Sequence, residues 1–234
     1  MKLPSKRTPV RTCLNAARYS GRMFAKHSDD PRLPELGRRF DAGQAELAEA
    51  ERRLAEAEAN LMLVRVEVKF EDHSSDQFLR RLLAYAEAKD GRKGGKLSKL
   101  LFPNGVQEIT RLQTGAQVEK MRGLEARMAE VQGWDEALIR LGELAVQRAR
   151  YESAIEMRNE AERQVVSARA ARNAAKERFL DLYAEIAGQI RSIFPRDRRM
   201  QDLFFDDLSP RKRRYAGEPD DDLPEEPADD GDGA

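Results

Sequence analysis

Cysteine is nearly absent. Cys13 stands alone in 234 residues, so the chain can form no internal disulfide and no zinc site built on several thiolates. Histidine is almost as scarce: His27 and His73 lie in different segments, and neither HExxH nor a histidine pair at helical spacing occurs. Those gaps remove the usual zinc arrangements, and no metal is expected. Aromatic residues are only 6% while charged residues are 36%, too polar a mixture for a thick compact core. No run of about 18 apolar residues is present, so no helix is expected to span a membrane. The start also lacks the apolar stretch of a secretion signal. A cytoplasmic location fits, and a transit peptide over residues 1–28 is the organellar alternative.

Two stretches each lack one sign of charge, although the net charge is +0. From Met1 to His27 the bases Lys2, Lys6, Arg7, Arg11, Arg18, Arg22 and Lys26 meet no acid. From Glu218 to Asp232 nine acids meet no base. A second basic cluster, Arg196, Arg198, Arg199, Arg211, Lys212, Arg213 and Arg214, precedes the acidic end. Such patches can neutralise phosphates, but no base-reading motif accompanies them.

Against these absences stands a strong periodicity. In "FDAGQAELAEAERRLAEAEANLMLVRVEV" an apolar row runs Phe40, Leu47, Leu54, Leu61, Val68, with Ala50, Ala57 and Val64 three residues behind. Alternating steps of three and four are the heptad signature of paired helices. Glu71 and Ser75 interrupt the seam, and Phe78, Leu82 and Tyr85 resume it. "VRVEVKF" alternates as a strand would, yet no partner strand stands out and a lone strand is unstable. A later row, Ala154, Ala161, Ala168, Ala175, Leu182, repeats at the same interval up to Pro195. "LLFPNG" and "SIFPRD" both close an apolar cluster with Phe-Pro, and both are expected near one end of the bundle.

Three constellations invite a chemical reading. Glu71, Asp72, His73 and Asp76 would suit a carboxylate–histidine site; a polar layer that fixes helix register is the plainer reading. "DGRKGGKLS" resembles a phosphate loop, but Gly91 to Gly95 is one residue short and no buried strand precedes it. Cys13 with a histidine is only formally a nucleophile pair. No catalytic, cofactor-binding or metal-binding residue is assigned, no cofactor is implied, and no small-molecule substrate is evident.

The expected fold is all-α: an elongated antiparallel coiled-coil-like helical bundle with disordered charged termini. Residues 1–32 form a basic segment able to hold one short helix, and 33–195 the long-helix bundle, with helices at about 34–89, 105–132 and 135–194. A short basic amphipathic segment follows at 196–214, then a disordered acidic tail at 215–234. The expected function is a non-enzymatic scaffold or adaptor, acting through a protein partner or self-association. Its contact candidates are Arg196, Arg198, Arg199, Arg211, Lys212, Arg213, Arg214, Phe204 and Phe205. Nucleic-acid association through 2–26 and 196–214 is the alternative.

Overall fold

The computed structural model describes residues 3–206, so Arg211, Lys212, Arg213, Arg214 and the acidic segment lie outside the described residues. Within that range the chain is an all-α bundle of α1 (Val10–Lys26), α2 (Pro34–Asp90), α3 (Lys96–Leu101), α4 (Gln107–Thr110), α5 (Gly115–Ala129), α6 (Ala137–Ile193) and α7 (Arg198–Leu203).

Helix α2 opens on Pro34, whose fixed φ suits a first turn, and stops at Gly91, which takes φ +68° as its left-handed cap. It passes unbroken through the strand-like stretch. Leu47, Leu54, Leu61, Val68, Ser75 and Leu82, each seven residues apart, are buried. Val66 and Phe70, which a strand would have buried together with Val68, are 61% and 62% exposed.

The partner of α2 is α6. Phe40 meets Phe179, Leu54 and Leu61 pack with Ala161 and Val165, and Val68 packs with Tyr151 and Ala154. Numbers climb on one helix as they fall on the other, so the two run in opposite directions. Ion pairs bridge the same two helices: Arg39–Glu185 at 2.8 Å, Glu46–Arg178, Glu51–Arg172 at 3.7 Å, Glu58–Arg169 at 3.1 Å and Arg65–Glu162 at 3.9 Å. Exposed pairs of this kind contribute about 0–1 kcal/mol each, so buried apolar area rather than charge holds α2 to α6.

Each end of the pair is thickened by further elements. At one end α1 and α7 cover Phe40, Phe179 and Tyr183, where aromatic centroids stand 5.3–5.8 Å apart. Such contacts add about 0.5–1.5 kcal/mol apiece beyond burial. At the other end α3, α4 and α5 bring Leu101, Phe102, Ile109, Met121 and Leu124 against Leu79, Leu82 and Leu144. Between the two, α2 and α6 face each other with little else.

Several expectations need correction. Past Ser75 the buried set is Leu79, Leu82 and Ala86 rather than Phe78, Leu82 and Tyr85, and Tyr85 is 41% exposed. Contacts from α3 and α5 turn the buried face of α2 away from the earlier seam. The two Phe-Pro turns lie at opposite ends, because Phe102 joins the cluster of Leu82 while Phe194 stacks on Phe204. The helix expected over 105–132 is divided into α4 and α5. Their break centres on Thr114, which adopts φ +53° and ψ −129°. A β-branched residue in that region costs about 1–3 kcal/mol and persists only where its surroundings hold it.

Candidate interaction surfaces

The holding group at Thr114 is Tyr151. Its hydroxyl accepts the Thr114 N–H at 2.8 Å and donates to Asp72 Oδ1 at 2.8 Å. Gln117 donates to Asp76 Oδ1 at 2.9 Å, and Gln147 donates to Glu71 Oε2 at 3.0 Å and to Ser75 Oγ at 3.2 Å. Three of the four residues singled out as a carboxylate–histidine site are thus brought together, as acceptors in a polar layer where α5 joins the pair. His73 is exposed and takes no part in these hydrogen bonds. Burial, followed by the Asp72 carboxylate, pushes the Tyr151 hydroxyl above its usual range. Burial also raises the Asp76 carboxyl, with the Gln117 bond opposing and the Asp72 charge adding. Gln117 Oε1 is buried without a hydrogen-bond partner among the described residues. The network orders the junction of α5 with the α2–α6 pair.

The glycine loop has a similar explanation. Asp90 accepts from Leu97 N–H at 3.0 Å and Ser98 N–H at 2.9 Å, filling the start of α3 that an anion would need. Those two bonds hold its carboxyl below the usual carboxylate range. Gly95 is required by close approach, since an added Cβ would fall 2.4 Å from the Asp90 side chain.

The contact candidates divide sharply. Phe204 and Phe205 are 0% and 3% exposed: Phe204 lies against Phe24 at 5.2 Å, and Phe205 against Tyr183 at 5.3 Å. They are core residues that dock α7, not outward contacts. The apolar side of this amphipathic segment is covered by α1 at Phe204 and by α6 at Phe205. Arg196, Arg198 and Arg199 are exposed, and Arg198 reaches Asp202 at 4.0 Å.

Three surfaces stand out, and of these only the basic N-terminal patch is legible in the sequence. Met62, Leu63, Val66 and Phe70 are each more than 60% exposed and share the side of α2 that faces away from α6. Val66 and Phe70 belong to the strand-like "VRVEVKF"; Met62 and Leu63 precede it. Second, Arg11, Arg18, Arg22 and Lys26 line the outward face of α1 opposite buried Cys13, Ala17, Ser20 and Phe24. Third, a groove of about 520 Å³ between α2 and α6 is lined by Phe78, Arg81, Tyr85, Arg140, Val146 and Arg150. Arg140 lies 4.0 Å above the Tyr85 ring and pairs with Glu136 and Glu143, so its charge is already answered.

Among the described residues no group of three or more His, Cys, Asp or Glu could hold a metal ion, and no helix is long and apolar enough to cross a membrane. What the described residues define is an all-helical bundle. Compared with protein-family models, curated proteins and solved structures, the chain matches none.

Proposed function

We propose that this chain is a non-catalytic scaffold: an antiparallel coiled-coil rod, α2 wound on α6, that joins protein partners through the outside of its helices. The seven-residue spacing of buried positions supports the coiled coil. The observation that carries the function is the outer stripe Met62, Leu63, Val66, Phe70, at steps of one, three and four. An ordinary surface helix is apolar on one side and polar on the other. In its middle α2 is apolar on both, and a second helix laid on the outer stripe would remove four large side chains from water. Fully burying each such side chain stabilises by about 1.5–3 kcal/mol.

The test is sedimentation velocity over a wide concentration range, because a second copy of the chain is the first occupant to examine. Val66→Glu with Phe70→Glu should lower self-association at least tenfold while circular dichroism and melting stay close to the parent, since neither residue belongs to the monomer core. A parent that stays monomeric, with unchanged solubility in the double variant, would remove the stripe as an interface. Nucleic-acid association is the second reading, favoured by the uniformly basic outer face of α1.

A further inference from the structure

Helix α2 carries a second seam on the side turned away from α6. One of its rows is Ala45, Arg52, Ala59, Val66, His73 and Arg80; the other is Glu49, Glu56, Leu63, Phe70, Gln77 and Ala84. Taken together they advance by alternating steps of four and three, and all are exposed except half-buried Glu49. The added helices leave this seam clear. At one end α1 approaches Gly37, where an added Cβ would fall 3.2 Å from Phe24; at the other, α3 and α5 cluster with Leu79 and Ala86. Gly37, Leu79 and Ala86 are separated by multiples of seven, so both thickened ends sit on one flank of α2. No described element covers the outward seam.

Turned end for end, the seam is its own complement. Place a two-fold axis midway between Leu63 and Val66, so that the two residues of every layer have numbers summing to 129, as 63 and 66 do. Leu63 of one copy then meets Val66 of the other. Outward from the axis Phe70 meets Ala59, His73 meets Glu56, Gln77 meets Arg52, Arg80 meets Glu49 and Ala84 meets Ala45. Aliphatic groups meet at the centre, the largest side chain falls on alanine, and each acid faces a basic side chain. Moving the axis by half a heptad spoils the match, for Phe70 lands on Arg52 one way and Leu63 on His73 the other. A parallel pair would set Glu49, Arg52, Glu56 and Arg80 each against itself, and like charges in contact oppose association. From Ala45 to Ala84 the seam runs roughly 58 Å at 1.5 Å per residue. Two helices joined over that length bury on the order of 1,600 Å² in total, the size of a specific interface.

We infer that two copies of this chain pair antiparallel through the outward seam of α2, about a two-fold axis between Leu63 and Val66. Across its middle the pair reads α6–α2–α2–α6. This pairing rests on the apolar stripe being an interface, as proposed above, and adds its occupant, direction and register. Being isologous, it covers both stripes at once and closes, with no free stripe left for further growth.

Exchanging charges between chains tests the register. Glu49→Arg sets arginine against Arg80 twice in each pair, and Arg80→Glu sets glutamate against Glu49 twice. In sedimentation velocity each variant alone should associate about fivefold more weakly than the parent, or weaker still. An equimolar mixture restores opposite charges at both ends and should recover the parent's association. Effects within one helix, where Glu49 pairs with Arg52 and Arg53 and Arg80 with Asp76, are the same alone and mixed. Circular dichroism should stay at the parent's helix content throughout. A second arm reads direction. Chains carrying Glu56→Cys, mixed with chains carrying His73→Cys, should yield a disulfide-linked dimer on mild oxidation. Glu56→Cys alone should not, since its two thiols would lie roughly 25 Å apart along the axis. The native Cys13 is buried and does not compete. Recovery on mixing, together with the crossed disulfide, supports the inference. Suppose instead that the parent associates but the single variants match it, the mixture stays as weak as its parts, or Glu56→Cys links to itself. Any of these overturns the antiparallel register and leaves the stripe as an interface of another kind. A parent that remains monomeric at every concentration removes the stripe reading and the pairing together.

Discussion

At the scale of single residues, Tyr151 does the most joining: one hydroxyl ties the Thr114 turn before α5 to the Asp72 carboxylate on α2. Tyr151→Phe removes both bonds and leaves the Thr114 N–H without its partner while its φ stays positive. The expected cost is about 1–3 kcal/mol, read from the denaturant midpoint. Asp76→Asn should act the other way. Burial raises the Asp76 carboxyl above its ordinary value, so the ionised form is a net cost to folding at neutral pH. That cost is relieved as pH falls through the raised value. An amide oxygen can still accept from Gln117, so Asp76→Asn should be at least as stable as the parent at pH 7. Its advantage should then vanish in acid; an advantage that grew in acid would contradict the assignment. The cluster was legible as a polar layer because its carboxylates interrupt an apolar seam. Its hydrogen-bond partners were not, since Tyr151 and Gln147 come from a helix more than seventy residues away.

At the scale of elements, the rows of seven made α2 and α6 readable as helices; Ala154, Ala161 and Ala175 of the α6 row are buried, while Ala168 and Leu182 are partly so. Leu54 packs with Leu61, Ala161 and Val165 in the thin middle of the pair. Leu54→Asp would bury a carboxylate with no partner there, a loss of about 3–5 kcal/mol by analogy with broken buried pairs. Glu51 makes a poor surface control, because it faces Arg172 across the helices at 3.7 Å. Asn60→Lys, on the exposed side, should shift melting far less, and similar shifts for the two would mean that the facing is wrong. Short elements were harder to read. The break at Thr114 depends on a tertiary hydrogen bond, and α3 depends on Asp90 folding back to cap it. Phe204 is buried by Phe24 of α1 and Phe205 by Tyr183 of α6. Local sequence carries none of those contacts.

At the scale of the whole molecule, two helices of 57 residues each extend roughly 85 Å, with added layers only at the ends. X-ray scattering should therefore return a maximum dimension well above the roughly 50 Å of a sphere of this mass, with a skewed distance distribution. A symmetric, compact distribution would contradict the proposed rod. The bridging charges also have an informational role. Reading along α2 the signs run plus, minus, minus, minus, plus, and α6 answers with their inverse. If the helices slid by seven residues, the apolar rows would still meet and hydrophobic burial would hardly object. The charges would object. One direction sets Arg39 against Arg178 and Glu58 against Glu162; the other sets Glu46 against Glu185 and Arg65 against Arg169. Pairs that add little to the depth of the native well thus raise its nearest competitors on both sides, and the ladder works as a vernier scale with one coincident mark.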